Sequence, residues 1–247
     1  MSSPHLITCV VPAFNSAAYV HQALESIFAQ TYRPLHVVVV DDGSTDGTPA
    51  IVRAFPEPVE LVEQSNLGPA ATRNRGLHAA QGELIAFLDA DDRWHPEKLQ
   101  RQYERFVARP EIDACLSYAQ LVWSDELFAE EAFYRDHPRA AVVPGYATTT
   151  MLAKRGVFDV VGEFDNELWF ADATDWFIRA AERSVVIEML PQALTYHRMH
   201  GANLTRRRSG ASSEEFLDVI KRSLDRRRQQ PQDSGREPRS RRVVSPS

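Results

Sequence analysis

Cysteine is scarce in this sequence of 247 residues, which contains only Cys9 and Cys115. Both lie in apolar stretches typical of strands, so we expect two small core residues rather than a disulfide or a metal-binding pair. So few cysteines exclude a disulfide-rich secreted scaffold, and they favour a reducing compartment such as the cytoplasm.

Long apolar runs are missing as well. No stretch approaches the roughly 20 apolar residues that cross a bilayer as a helix. Residues 1–5 lack the charged region and apolar segment of a secretory signal. We therefore expect a cytoplasmic protein that contacts a membrane at most peripherally, on its inner face.

Positive charge is sparse except at the C-terminal end. The formal net charge is −6. From Asp225 onward seven arginines stand against three acids, a net of +4, so the preceding part carries −10. Such an acidic body argues against nucleic-acid binding. Residues 229–247 have too few apolar side chains to fold and are predicted to be disordered, with arginines that either touch anionic lipid or only aid solubility.

A glycine-rich phosphate loop is also lacking. The first strand-like run, 7–11, is followed by Pro12, Ala13, Phe14 and Asn15. A dinucleotide-dependent dehydrogenase would carry Gly-x-Gly-x-x-Gly at this point. A nucleotidyltransferase would usually carry a basic, glycine-rich loop there, so it remains only a weaker alternative.

Carboxylates follow a buried strand pattern at 84–88, which leads directly into Asp89, Asp91 and Asp92. Carboxylate oxygens suit Mg²⁺ or Mn²⁺, and Mg²⁺ is usually held by one or two carboxylates plus substrate phosphates. The pattern therefore indicates a metal-bound phosphate ester. A solvated acidic turn that caps the next helix is the alternative, and Asp92 fits that role best.

A second apolar run, 35–40, ends in Asp41 and Asp42. Continuous Val-rich runs are typical of parallel strands buried on both faces, and open α/β sheets bind ligands beyond the carboxyl ends of their strands. Strand and helix patterns alternate along the chain, which predicts an α/β fold. Strands are expected near 6–11, 35–40, 59–63, 83–88, 114–122 and 185–190, and helices near 16–28, 47–54, 69–80, 96–108 and 174–183.

Six segments, in their order and spacing, closely resemble the family 2 glycosyltransferases. They are residues 10–15, 26–32, 39–46, 66–68, 71–74 and 87–92, and a weaker resemblance runs from 161–165 to 196–203. The resemblance implies a GT-A-like fold: a Rossmann-type, mostly parallel sheet flanked by helices in one compact domain. It also implies inverting transfer of a sugar from a nucleoside diphosphate sugar to a hydroxyl acceptor, with Mg²⁺ or Mn²⁺.

The same resemblance divides the chain into four parts: a nucleotide-sugar half at 1–110, an acceptor half at 111–205, a helical segment at 206–228 and the basic tail. The irregular stretch 124–146 is either an acceptor-side loop or an ordinary surface excursion. The acceptor itself stays open among a glycan, a lipid-linked molecule, a peptide and a small molecule.

Donor-side roles are carried over from the family by position. Asp42 matches the acid that hydrogen-bonds the nucleotide base, and Asp41 serves the ribose or the loop. Asn15 lines the nucleotide pocket together with Pro12 and Ala13, although it is equally suited to cap a helix. Arg73 matches an arginine near the nucleotide, with an exposed helical arginine paired to a glutamate as the alternative.

Metal roles follow in the same way. Asp91 matches the direct ligand of the family Asp-x-Asp motif, and Asp89 lies nearer the ribose or a metal-bound water. His200 resembles a late histidine that completes the metal site in some relatives, whereas the sequence alone favours a surface or structural histidine over a ligand.

The general base is where the chain departs from the family pattern. Counting back from Arg179 puts Ala173 at the base position, and alanine cannot accept a proton. Asp172 and Asp175 are the two candidates to replace it. If neither reaches the acceptor, the protein is a catalytically impaired nucleotide-sugar binder.

Overall fold

The Val-rich strands form the centre of a large mixed sheet. The computed structural model describes residues 4–134, 142–204 and 209–229. Within these ranges nine strands build one sheet in the order β3-β2-β1-β4-β8-β6-β9-β5, with β7 paired to β6. The strands are β1 Ile7–Ala13, β2 Leu35–Asp41, β3 Glu60–Glu63, β4 Leu84–Phe87, β5 Arg93–Trp94, β6 Ala114–Trp123, β7 Val142–Pro144, β8 Leu152–Lys154 and β9 Ile187–Met199.

Helices cover both faces of this sheet. They are α1 Val20–Phe28, α2 Thr48–Arg53, α3 Pro69–Ala79, α4 Lys98–Ala108, α5 Phe128–Tyr134, α6 Val157–Val161, α7 Asp172–Glu182 and α8 Ser209–Gln229, with short 3₁₀ turns at Asp125–Leu127 and Thr148–Thr150. No helix of the described ranges is both long and apolar enough to span a bilayer.

The amino-terminal half of the sheet is parallel, as predicted from its continuous apolar runs. β1 pairs in parallel with β2 on one side and β4 on the other, and β3 continues the row beyond β2. The middle residues of β1, β2 and β4 are completely buried, whereas those of β3 are half-buried. The sheet therefore brings the carboxyl ends of β1, β2 and β4 to one edge.

Beyond β4 the sheet is mixed. β8 pairs antiparallel with both β4 and β6, whereas β6 and β9 run parallel. The strand predicted at 185–190 continues to Met199, because a register shift opposite β6 absorbs Pro191 and Gln192 as a bulge. Strands of two or three residues, such as β5, β7 and β8, are too short to produce a periodic pattern.

Two apolar cores lie on opposite faces of the sheet. α1 buries the predicted stripe of Val20, Ala23, Leu24 and Ile27 on one face. α7 buries Trp176 among aromatic side chains on the other. Both cysteines are free and buried, which confirms them as core residues.

A lysine is buried in the first core. The Lys98 ammonium group donates to Gln102 Oε1 at 2.9 Å and lies 4.3 Å from the centre of the Trp94 ring. Its side chain is fully enclosed. Burial lowers the pKa of Lys98 from 10.5 to about 7, because the charged form loses its hydration.

The C-terminal helix α8 packs beside α7. Val219 is fully buried against Leu168, Ala171 and Ile178. Ser223 and Arg226 both donate to Glu182 near the end of α7, at 2.6 and 2.8 Å. The predicted tail lies outside the described residues from 230 onward, as do residues 135–141 of the irregular stretch.

Candidate active site

Acidic side chains lie at the ends of β2 and β4, on the same carboxyl edge of the parallel sheet. Ala13 at the end of β1 lies opposite Asp41 in register, and the Ala13 carbonyl accepts the Asp42 amide at 2.8 Å. Pro12 precedes it at a position where β1 no longer pairs with β4. β4 ends at the same edge with Phe87, so residues 89–92, which we call the acidic segment, also begin there.

Asp42 holds the loop that precedes α3. Its Oδ1 accepts from the Leu67 amide and from Gln64 Nε2, both at 2.8 Å, and Oδ2 accepts from the Gly68 amide at 2.9 Å. A carboxylate offers about four acceptor sites. Three of these positions are filled by donors of the loop, and one, on Oδ2, has no hydrogen-bond donor among the described residues.

Gly68 has a φ of 91°, a conformation that favours glycine. The indole ring of Trp169 lies so close that a Cβ at Gly68 would come within 3.1 Å of it. The loop held by Asp42 is thus in direct contact with the segment that leads into α7.

Asp41 and Asn15 brace neighbouring loops. Asp41 Oδ2 accepts the Ser44 amide at 2.9 Å, while Oδ1 is buried without a hydrogen-bond partner. Asn15 Oδ1 accepts the Thr45 amide at 2.8 Å, and its own amide donates to Ser44 Oγ. The alternative that Asn15 caps α1 is wrong, since the N-cap residue is Tyr19.

Arg73 connects two candidate carboxylates. Nη1 donates to Asp172 Oδ2 at 2.5 Å, and Nη2 donates to Asp89 Oδ1 at 3.0 Å. Only 10% of the Arg73 side chain is exposed, so the alternative of a solvated arginine paired to a glutamate is wrong. Burial alone would lower the pKa of Arg73, but the attraction of Asp172 and Asp89 outweighs it and raises the pKa.

Asp91 faces a histidine. Its Oδ2 lies 2.9 Å from His200 Nε2 and accepts from Asn203 Nδ2 at 3.2 Å. Burial raises the pKa of Asp91, but the hydrogen bond from His200 and the positive charge of His197 outweigh it and lower the pKa overall. Asp91 keeps 26% of its side chain exposed, so its second oxygen is accessible to a ligand.

His200 is fixed from three sides. Its amide donates to Asn203 Oδ1 at 2.6 Å, its Nδ1 lies 3.2 Å from the Ala202 amide, and its ring packs against Tyr19 with centroids 4.5 Å apart. Because Nδ1 accepts from an amide, Nε2 carries the proton that Asp91 accepts. The sequence-predicted partners Asp91 and His200 are therefore brought together.

Asp92 has a structural role, but not as a helix cap. α4 begins after Glu97, whereas Asp92 Oδ1 accepts the Arg198 amide at 2.9 Å and Oδ2 lies 3.0 Å from His197 Nδ1. Burial raises the pKa of Asp92 to about 6 against the opposing charge of His197. The negative charge of Asp92 in turn raises the pKa of His197 to about 9. Asp92 thus ties the acidic segment to β9.

Asp172 and Asp175 occupy different surroundings on α7. Asp172 is the first residue of the helix and joins the acidic segment through Arg73. Asp175 instead accepts from Arg179 Nε at 2.6 Å, and Arg179 also donates to the carbonyls of Val161 and Glu163. Asp175 is buried in this structural network.

Two polar contacts near the site have no local sequence signal. Arg198 donates to the Asp91 carbonyl at 3.0 Å and to Gln22 Oε1 at 2.6 Å. Glu215 of α8 accepts from three successive amides at the start of α7, those of Trp169, Phe170 and Ala171, at 2.8–3.2 Å. A carboxylate placed this way stabilises the amino end of a helix.

The donor set limits how a metal ion would be held. The described residues contain no group of three or more His, Cys, Asp or Glu side chains arranged around one point. Asp91 and His200 form a pair, and Asp89 keeps one oxygen that does not contact Arg73. Few protein ligands with accessible oxygens suit a divalent cation whose remaining ligands come from substrate phosphates.

Comparison with known proteins identifies the family. A family model described as glycosyl transferase family 2 matches residues 8–161, more than half of the chain. The chain belongs to glycosyl transferase family 2. An uncharacterized glycosyltransferase of Nostoc sp. is 30% identical to this glycosyltransferase over 224 residues, covering 85% of this chain and 69% of the relative. The succinoglycan biosynthesis protein ExoO of Rhizobium meliloti is 48% identical over 101 residues, which are 40% of this chain and 29% of ExoO.

Solved structures agree with the predicted GT-A fold. TarS residues 1–349 of S. aureus in complex with UDP-GlcNAc superimposes with a TM-score of 0.71 at 24% identity, over 89% of this glycosyltransferase and 65% of that chain. The mannosyltransferase PcManGT from Pyrobaculum calidifontis, in complex with GDP-Man and Mn²⁺, superimposes with a TM-score of 0.70 at 22% identity. The match covers 91% of this glycosyltransferase and 65% of PcManGT. The glycosyltransferase thus spans about two thirds of each of these chains.

Proposed function

We propose that this glycosyltransferase transfers a sugar from a nucleoside diphosphate sugar to a hydroxyl acceptor, with inversion and with the help of Mg²⁺ or Mn²⁺. The observation that carries the proposal is the Asp89–Arg73–Asp172 bridge beside the Asp91–His200 pair. It joins the acidic segment, expected to face the diphosphate, to a carboxylate that can face the acceptor.

On the donor side, Asp42 offers its open Oδ2 position to a base N–H, with Asp41, Asn15, Pro12 and Ala13 around it. Asp91 would hold the cation, assisted by Asp89. His200 would join them through its other tautomer, with the proton on Nδ1 and the Nε2 lone pair turned to the ion. A bound divalent cation supplies charge stabilisation for the departing diphosphate. Two protein ligands alone bind such an ion weakly, so metal and donor should bind together.

On the acceptor side, Asp172 is the better candidate for the base. Arg73 occupies its Oδ2, which fixes the carboxylate and leaves Oδ1 to accept a hydroxyl proton. Asp175 is committed to Arg179 and lies 4.0 Å from Arg226 of α8. The inverting outcome follows from this arrangement if the acceptor oxygen attacks the anomeric carbon directly as Asp172 takes its proton.

A second candidate function is a nucleotide-sugar-binding protein with little or no transfer activity. Two observations favour it: alanine stands at position 173, and Asp172 is already ion-paired with Arg73. This candidate shares the donor site and differs only in the fate of the sugar.

The test is a thermal-shift screen of the full chain against UDP-, GDP-, dTDP- and CDP-sugars, with and without Mn²⁺, followed by an assay for nucleoside diphosphate release. We expect one nucleotide to raise the melting temperature in a Mn²⁺-dependent way and to be released on turnover. Binding of a nucleotide sugar without release of the nucleoside diphosphate in the presence of any acceptor would favour the second candidate. No Mn²⁺-dependent binding of any nucleotide sugar would refute both.

A further inference from the structure

The outward face of α8 carries two exposed leucines. Val219 and Ser223 are buried against the body of the protein. On the opposite side of the helix, at 100° per residue, lie Leu217 and Leu224, which are 66 and 48% exposed. They lie two turns apart in one row, which we name the α8 patch, whereas Phe216, 47% exposed, lies on the flank near Ser223.

Basic side chains border the α8 patch. Lys221 and Arg228 are exposed on the same face as the patch, and Arg228 also lies 3.6 Å from Asp225. Arg227 lies on the flank, 4.0 Å from Glu182 of α7. Residues 221–229 contain five basic residues and one acid, Asp225. Residues 221–229 therefore add a net charge of +4 beside and after the α8 patch.

The rest of the protein has the opposite charge. The part of the chain before residue 225 carries −10, whereas the sequence after α8 adds four arginines and two acids. A negatively charged surface would repel the acidic body and attract this end of the helix. Charge thus selects one orientation, with the α8 patch facing the surface.

We propose that the α8 patch docks on an anionic lipid surface. A helix that lies in a membrane interface pairs Phe and Leu side chains with Lys and Arg side chains, and each basic residue near an anionic surface strengthens binding roughly fivefold. Two side chains about half exposed offer a few hundred Å² at most, below the ~800 Å² per partner of a stable dimer. The inference does not depend on the proposed function.

Docking would leave the candidate active site intact. The residues that attach α8 to the body, including Glu215, Val219 and Arg226, lie on the other side of the helix. Lipid contact therefore does not compete with the packing of α8 on α7.

The test is co-sedimentation of the full chain with vesicles of equimolar phosphatidylglycerol and phosphatidylcholine, compared with phosphatidylcholine alone. We expect binding to the anionic vesicles at low salt, weaker binding at high salt, and little binding to the neutral vesicles. Leu217→Gln combined with Leu224→Gln, and separately Lys221→Glu combined with Arg228→Glu, should each raise the half-saturating lipid concentration by at least about tenfold.

Matched controls carry the same substitutions elsewhere. Phe128→Gln removes a side chain that is 65% exposed on α5, and Arg75→Glu reverses an exposed charge on α3. Both should bind like the parent chain. A full chain with its tail arginines changed to glutamine should keep most of its binding; these are Arg236, Arg239, Arg241 and Arg242.

Several results would overturn the proposal. Equal binding to neutral and anionic vesicles removes the role of charge, and unchanged binding of both α8 double variants removes the role of the helix. Loss of all binding in the tail variant assigns the contact to the tail instead. Self-association in solution that the leucine variant abolishes, without vesicle binding by the parent chain, assigns the patch to a second copy.

Discussion

Glu215→Ala should loosen the segment that carries Asp172. In the parent chain the Glu215 carboxylate accepts three successive amides, from Trp169 to Ala171, directly before α7. Asp172 follows in the chain, and Trp169 rests against Gly68 of the loop held by Asp42. One side chain of α8 thus holds a segment that contacts the loop held by Asp42 and leads directly into the candidate base, Asp172.

The size of the effect follows from these contacts. A hydrogen bond to a charged group contributes about 1.5–3 kcal/mol, and an anion at a helix amino terminus about 0.3–1 kcal/mol. The three bonds share one carboxylate and the segment is half-buried, so water would satisfy part of what is lost. We expect Glu215→Ala to lower the free energy of unfolding by roughly 2–3 kcal/mol.

Catalysis should suffer more than stability. A displacement of about 1 Å in a catalytic group can lower a rate about 100-fold. We therefore expect kcat of Glu215→Ala to fall by roughly ten- to a hundredfold. Hydrogen exchange at the amides of residues 169–171 should become faster. Glu215→Gln keeps one acceptor oxygen but loses the charge, so its kcat and its exchange rates should lie between those of the parent chain and Glu215→Ala.

Two controls isolate the positioning effect. Glu214→Ala changes the exposed neighbour on α8 and should match the parent chain in every measurement. Val219→Ala weakens the packing of α8 without touching the three amides, so it should lower stability with a smaller loss of kcat. The reasoning would be refuted if Glu215→Ala kept parental kcat and exchange rates, or if Val219→Ala reproduced its kinetic loss at equal stability.

Three further predictions concern other parts of the structure. Asp91→Asn should abolish Mn²⁺-dependent binding of a nucleoside diphosphate while the fold stays intact, because it removes a charged ligand from a site with few; unchanged affinity by calorimetry would contradict the metal role. Asp172→Asn should lower kcat by roughly two to four powers of ten with little change in donor affinity, whereas Asp175→Asn should mainly lose stability; the reverse ranking in steady-state kinetics would move the base to Asp175. Burial lowers the pKa of Lys98 from 10.5 to about 7 in the folded chain. Between these two pH values the unfolded chain binds more protons than the folded one, so the free energy of unfolding should rise with pH. Urea titrations between pH 7 and 8.5 should show that Lys98→Met loses up to ~1.4 kcal/mol per pH unit of this slope and that Lys221→Met does not.

The strand ends could be predicted from the sequence because the signal is local. A continuous apolar run that ends in acids, as at Asp41 and Asp89, predicts a buried parallel strand and shows that the acids lie at its carboxyl end. The positions of β1, β2 and β4 were predicted to within two residues on this basis. The two faces of α1 follow from its periodicity in the same way.

The partners across the site could not be predicted from residue patterns. Arg73 and Asp172 are separated by 99 positions, and Trp169 and Glu215 by 46. Ion pairs of this kind depend on how α3, α7 and α8 pack, which no periodicity encodes. The family resemblance pointed to Asp91 and His200 as partners, whereas the proposed preference for Asp172 over Asp175 rests on the contacts of both side chains.

The shared sheet restricts how the enzyme can move. β4 exchanges backbone hydrogen bonds with β1 on one side and with β8 on the other, so the predicted donor and acceptor halves have no hinge between them. Opening them like a clamshell would break a strand ladder rather than bend a linker. Exchange of substrate and product should therefore proceed through motions of the loops around Gly68 and Trp169, on a frame that melts as one cooperative unit.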